Sequence, residues 1–324
     1  MAAATVKLRP LDATSASELK EATALLAESL TWDRVAVVAE EKLFASNGKR
    51  RGYTIGAFSP GADELLGVLA QAGRFIKMLA VRPGARRRGI GTALIEAARE
   101  NLALENPGGP RPRLRAADHA GNYLSPGLDE RYTDGQEFLR ARGFAQVAAS
   151  QNLRAPLQDN PSLRPEHLAA LDAKVAAFGY TVRRATAADQ KPLSDMVAKV
   201  FSPIWALELE RALGPTLGGP AAERTPELPE GAAVHVALEP GGAPVAFAAH
   251  DGNNRGLGWF GPMGTLDAHR GKGLGELLHL LCLRDVAQSG QVEGGVIAWV
   301  GPIEFYARVC GAKLDRRFVA YEES

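Results

Sequence analysis

Disulfides, membrane spans and a dominant charge are all missing from this chain, and each absence removes a class of protein. Only two cysteines occur in 324 residues, Cys282 and Cys310. That is no disulfide framework, it fits a reducing cytoplasm, and neither thiol has a partner at metal-ligand spacing. No run approaches the roughly 18 apolar residues of a membrane span. The opening Met1-Ala2-Ala3-Ala4-Thr5 has neither the charged flank nor the apolar stretch of a secretory signal. Lys and Arg number 38 against 37 Asp and Glu, a net charge of +1. Nothing in that balance favours nucleic acid or an anionic membrane as a partner. The expectation is a cytoplasmic protein without a metal.

What is present is an ordinary globular composition, 46% hydrophobic and 23% charged, and one pattern that occurs twice. Arg86-Arg87-Arg88-Gly89-Ile90-Gly91 and Arg270-Gly271-Lys272-Gly273-Leu274-Gly275 both read Arg-x-x-Gly-x-Gly. The offset is constant, since 270 − 86, 273 − 89 and 275 − 91 each give 184. The length suggests about two domains, and self-similarity at this period makes them copies. The expected boundaries are 1–157 for the first domain, 158–178 for a linker and joining helix, and 179–324 for the second.

Each half shows the same order of elements. In the first, a strand at 5–10 precedes helices at 15–29 and 31–46, and then come strands at 52–58, 64–72 and 75–81. The glycine loop opens a helix to about 104, which the 106–110 Asn/Pro/Gly cluster breaks. A strand near 113–117, a helix at 134–142 and a last strand follow. In the second half, the strand at 180–186 precedes helices at 188–200 and 205–213. A Gly/Pro-rich stretch at 214–231 reads as a mobile loop. Strands at 232–238, 244–250 and 257–265 lead to the second glycine loop, a helix at 275–289, a strand at 295–300, a short helix at 302–309 and a strand at 315–321.

Glycines at the mouth of a helix let backbone N–H groups converge on an anion, and the helix dipole favours it. A Walker loop does not fit, because no Ser or Thr follows Lys272 at the required place. A dinucleotide fingerprint does not fit either. Leu94 and Leu278 stand where its third glycine belongs, and each loop follows the fourth strand of its half, not the first. The remaining reading is a pyrophosphate held by the loop after strand four.

The run Val81-x-Pro83-x-x-Arg86-x-x-Gly89-x-Gly91, with its strand and helix, resembles the coenzyme A loop of the GNAT N-acetyltransferase superfamily. The second copy, Thr265-x-Asp267-x-x-Arg270-x-x-Gly273-x-Gly275, is similar but has Asp where Pro is usual. The resemblance covers nearly the whole chain. It implies two tandem α+β domains (three-layer α/β), each a mixed, mostly antiparallel sheet flanked by helices. It also implies acetyl-coenzyme A as co-substrate. The pyrophosphate would meet Arg86, Arg87, Arg88, Gly89, Ile90, Gly91 and Thr92 in one copy, and Arg270, Gly271, Lys272, Gly273, Leu274, Gly275 and Glu276 in the other. By the same resemblance strand four bulges away from strand five, and Leu79 and Val81, or Met263 and Thr265, pair with the pantetheine arm.

Acetylating an amine moves protons off the nitrogen and onto the departing thiolate. In the family a tyrosine on the helix after strand five often serves as that acid, within a Phe-Tyr pair before a Gly. The second copy has Phe305-Tyr306 before Gly311, and the first has Phe138-Leu139 before Gly143. Tyr306 is therefore the expected acid, and the second domain the expected seat of chemistry. Seven residues earlier, where the family often has Asn, stand Trp299 and Tyr132. His250, at the end of a strand, is the candidate base, with Glu304 or a water chain as alternatives. The pair Asp118-His119 is expected to be solvated at a strand end, and Tyr123 and Tyr132 to pack in a loop. The acceptor is a small-molecule or peptide amine. Other readings are a non-catalytic acyl-coenzyme A sensor or assembly module, and a thiol-cofactor acetyltransferase like mycothiol synthase.

Overall fold

The computed structural model describes residues 6–45, 52–61, 63–105, 107, 113–214, 233–289 and 295–324. They divide into two compact units, Met1–Ser150 with Arg317–Ser324, and Gln151–Arg316. The expected loops at 106–110 and 214–231 fall almost wholly outside the described residues.

In the first unit β1 (Lys7–Pro10) leads to α1 (Ala16–Ser29), capped by Ser15, whose Oγ accepts from the Glu18 amide. Next come α2 (Val35–Phe44), β2 (Gly52–Phe58), β3 (Leu65–Ala72), β4 (Phe75–Val81) and α3 (Ile90–Glu105). The short β5 (Arg115–Ala116) and β6 (Leu128–Asp129), then α4 (Thr133–Arg140) and the start of β7 (Phe144–Ala155), complete the order. Strands β1 to β4 pair antiparallel in sequence, and β5 joins β4 in parallel. α3 buries Ile90, Leu94, Ala98 and Leu102, one residue per turn on one face, against Leu69 and Ile76 of the sheet. Ile90, Leu94 and Leu102 each contribute about 1.5–3 kcal/mol on burial.

The second unit holds α5 (Pro165–Ala176), β8 (Thr181–Arg184), α6 (Gln190–Val200), α7 (Pro203–Leu213), β9 (Val234–Leu238), β10 (Pro244–His250) and β11 (Phe260–Thr265). α8 (Leu274–Gln288), β12 (Gly295–Ile297), α9 (Ile303–Cys310) and β13 (Lys313–Glu323) follow. β8 to β11 are antiparallel neighbours, β12 is parallel to β11, and the end of β7 pairs with β12. Side chains alternate across this sheet, as the pleat requires. Val234, Val236, Phe247 and Ala249 meet α6 and α7, whereas Ala237, Ala246 and Ala248 face the core under α8.

Two findings depart from the expected boundaries. The segment 158–178 is not a free joint, because Leu163, Leu168, Leu171 and Val175 pack into the α8 core of the second unit. The chain's last eight residues belong to the first unit. There β13 pairs Tyr321 with Ala116 and Glu322 with Arg115, and Phe318, Val319 and Tyr321 are buried. Glu322 sits 2.9 Å from Arg74 and 3.2 Å from Arg115, and Glu323 is 2.6 Å from Arg99. The Glu323 carboxylate also accepts from the Leu114 amide at 2.9 Å.

Ending the chain at Arg316 should therefore cost the first unit its cooperative unfolding transition. The Glu322→Ala, Glu323→Ala double variant should keep that transition but lower its midpoint by several degrees, about 1–3 kcal/mol for partly buried pairs whose loss takes one carboxylate from each of Arg74, Arg99 and Arg115. Calorimetry of the full chain and both variants checks this, and an unchanged first-unit transition after truncation would refute it.

Candidate functional site

The fourth strand of each half carries a register slip at the same place. Register between β3 and β4 slips between Gln71↔Ile76 and Ala70↔Met78, which leaves Lys77 in a bulge. Between β10 and β11 it slips between His250↔Phe260 and Ala248↔Met263, around Gly261 and Pro262. A bulge bends its strand, and here it separates each fourth strand from the fifth. Pairing with β5 ends at Ile76↔Ala116, and pairing with β12 at Phe260↔Ile297. Beyond those pairs the backbone through Leu79 and Val81, and through Met263 and Thr265, carries donors and acceptors that the fifth strand does not take up.

Each freed strand runs into its glycine loop, and the two loops have the same backbone trace. A 3-10 turn comes first, Pro83–Ala85 or Asp267–His269. Arg86 has φ −62° and ψ 161°, and Arg270 has φ −68° and ψ 161°. Next, φ is positive at Arg87 (63°) and Gly271 (78°), and again at Gly89 (84°) and Gly273 (87°). The region is natural for glycine and strained for Arg87. The helices then start at Ile90 and Leu274. Gly273, at the N-cap of α8, makes no side-chain cap, so the leading amides of that helix stay available to an anion. A Cβ on Gly89 or Gly271 would meet nothing within 4 Å, so the loop face is open. These features suit a pyrophosphate. The first arginine of each loop also braces it: Arg86 Nε donates to Val81 O at 3.2 Å, and Arg270 Nε to Thr265 O at 3.3 Å.

Aromatic rings line both clefts at matching places. A Cβ on Gly91 would lie 3.0 Å from the Phe138 ring, and one on Gly275 4.0 Å from the Phe305 ring. Phe138 therefore matches Phe305, and Leu139 matches Tyr306. The burial agrees, at 6% exposure for Leu139 and 7% for Tyr306. The Tyr306 ring packs edge-on against Phe260 and Phe305 and lies 5.0 Å from the His279 ring. Burial pushes its phenol above the ordinary tyrosine value.

The halves differ most between the fifth strand and the next helix. The second unit uses residues 298–302, whereas the first uses 117–132 with the short β6 inside it. That longer segment is buried rather than solvated. Asp118 and His119 are each 5% exposed, against the expectation for a strand end, because Arg115 clamps Asp118 and the His119 ring sits edge-on to Phe75. Asn122 accepts from Lys42 Nζ at 3.0 Å and donates to the Glu41 and Ala45 carbonyls, which anchors the segment to α2. Tyr132 does more than pack. Its hydroxyl donates to Asp33 at 2.8 Å and accepts from the Trp32 amide at 2.9 Å. Trp299 is 41% exposed, and its amide donates to Asn152.

His250 lies under α8 instead of at an open groove, and is 9% exposed. Its Nδ1 is 2.9 Å from Asp251, and its Nε2 3.8 Å from Asp285. Burial alone would lower its pKa, but the two carboxylates outweigh that and raise it. For His235, 2.6 Å from Asp285, burial wins and the pKa falls. Asp285 also meets Arg184 at 2.7 Å. This buried network spans β8, β9, β10 and α8, and no sequence spacing announces it. Among the described residues no His/Cys/Asp/Glu cluster could hold a metal, and no helix is long and apolar enough to cross a membrane.

Residues 12–111 match the model of the Acetyltransferase (GNAT) family. Among solved structures, a tandem GNAT protein from the clavulanic acid biosynthesis pathway is 19% identical with TM-score 0.70, covering 98% of each chain. The GCN5-related glucosamine N-acetyltransferase region of a fungal multi-domain GH3 β-N-acetylglucosaminidase gives 16% and 0.73, over 99% of this chain and 38% of that one. A GCN5-related N-acetyltransferase from Sphaerobacter thermophilus gives 15% and 0.61, over 98% and 95%. At these identities the likeness is one of fold. No curated protein matches. The chain is thus a tandem GNAT-fold protein. The GNAT family match itself falls in the first unit.

His279 gives the second unit a pH signature. It is fully buried among Phe260, Phe305 and Tyr306, with Nε2 3.3 Å from Cys310 Sγ, and burial lowers its pKa to about 3. The unfolded chain binds this proton near pH 6.5 and the folded chain does not. Its contribution is therefore complete above about pH 6.5 and is lost as pH falls from there toward 3. The second unit's melting temperature should fall over that window, and His279→Leu should flatten the fall. An acid limb identical in the two proteins would contradict this.

Proposed function

We propose that the chain transfers an acetyl group from acetyl-coenzyme A to a primary amine, small-molecule or peptide, by direct attack in a ternary complex. The second unit performs the chemistry, and the first holds coenzyme A without turnover. The amine nitrogen bonds to the thioester carbonyl carbon, the carbon–sulfur bond breaks, and Tyr306 gives its phenolic proton to the departing thiolate. Solvent takes the amine's protons and restores that of Tyr306.

The observation that carries this assignment is Tyr306 itself. It stands where the first unit has Leu139, beside the helix whose N-terminus forms the loop. Two further features support it. The first unit's segment 117–132 occupies the α2 side of its sheet, while the second unit has only 298–302 at that place. A tryptophan and a tyrosine, not an asparagine, stand at Trp299 and Tyr132, so the loops and freed strands do the holding.

Tyr306→Phe should lower the rate of amine acetylation about 10²- to 10⁴-fold, the usual weight of one positioned acid, and leave coenzyme A affinity unchanged. Thiol release from acetyl-coenzyme A across a panel of amines measures the first, and calorimetric titration the second. Full activity in Tyr306→Phe would remove the second unit from the reaction. Binding without transfer to any amine, in the wild type too, would favour an acyl-coenzyme A sensor.

A further inference from the structure

The two loops share a backbone but not a charge. The first, Pro83 to Thr92, contains Arg86, Arg87 and Arg88 and no acid. The second, Asp267 to Glu276, sets Asp267 and Glu276 against Arg270 and Lys272. Its cations are also engaged. Arg270 lies 2.9 Å from Asp267, and Lys272 Nζ donates to the Tyr180 hydroxyl at 2.7 Å, which in turn is 2.8 Å from His269 Nδ1. Glu276 falls in the first turn of α8, where a carboxylate opposes any bound phosphate. The matching position in the first loop is Thr92 (276 − 92 = 184), and Arg142 Nε donates to its Oγ1 at 2.9 Å. A guanidinium therefore stands over the first helix N-terminus where the second has a carboxylate. Asp134, largely exposed, lies 4.0 Å from Arg86 of the first loop. Arg308, beside Phe305, is the second unit's flanking cation, and it leaves that loop's own charge at zero.

Coenzyme A presents a pyrophosphate and a 3′-phosphate, so its affinity follows the local charge. We propose that the first loop is a high-affinity coenzyme A site, with Arg142 and Thr92 as specificity-determining residues. The second loop, neutralised from within by Asp267 and Glu276, holds coenzyme A at least tenfold more weakly. This rests on the coenzyme A reading above and divides its two roles. The first unit retains its ligand, and the second exchanges it on every turnover.

Calorimetric titration of the full chain with coenzyme A at 50 and 300 mM KCl tests the proposal. Two sites at least tenfold apart are expected, with the tighter one more salt-sensitive. Thr92→Glu and Arg142→Gln should each weaken the tight site several-fold or more and spare the weak one. Glu276→Thr should tighten the weak site and spare the tight one. Equal sites, or a tight site that responds to Glu276→Thr and not to Thr92→Glu, would overturn the proposal while leaving the acetyl-transfer reading intact. No binding at either loop would overturn both.

Discussion

The fold turns on the bulge in the fourth strand of each unit. A parallel pair of strands would otherwise zip to its end and satisfy all its backbone groups. Lys77 in one half, and Gly261 with Pro262 in the other, break the register and bend the strand away from its neighbour. The freed edge is stable only because both faces of the sheet are covered elsewhere, by α1 and α2 or α6 and α7 on one side and by α3 or α8 on the other. An unpaired strand edge is normally a liability. Here it is short, and it ends in the glycine turn that opens α3 or α8.

Duplication kept that backbone and let the side chains drift apart. Arg87 adopts a glycine-like conformation in the first loop, where the second copy has Gly271. Strain of that size, about 1–3 kcal/mol, persists only where the surrounding turn fixes the residue. The first unit has a long buried segment and a loop whose charges are all basic. The second has a short connection and a tyrosine at a core position. Neither set of differences changes the trace of the loop.

The repeat, the helices and the strand order were legible because each rests on local signals. These are glycines at positive φ, a 3.6-residue apolar stripe, and turn residues between strands. The strand expected near 113–117 shrinks to Arg115–Ala116, and the helix expected at 134–142 runs Thr133–Arg140, since ends fray where packing decides. What the sequence hid is set by distant partners. Asp118 and His119 look like a solvated turn until Arg115 and Phe75 enclose them. His250 looks like a strand-end base until Asp285, 35 positions away (285 − 250), lies over it. The first unit's claim on residues 317–324 has no local mark at all, because glutamates become informative only beside Arg74, Arg99 and Arg115.

That last feature bears on how the chain is made. Ribosomal synthesis proceeds from the N-terminus, and domains usually fold as they emerge. The first unit cannot do so, because its closing strand is translated only after the whole of the second unit. Between Ser150 and Arg317 lie 317 − 150 = 167 residue steps, roughly 8–35 s at about 5–20 residues per second. Through that interval the β5 edge waits without β13, while the second unit has time to form. The duplicated halves are equal in architecture but reversed in birth order, and the half that begins the chain is the one that finishes folding last.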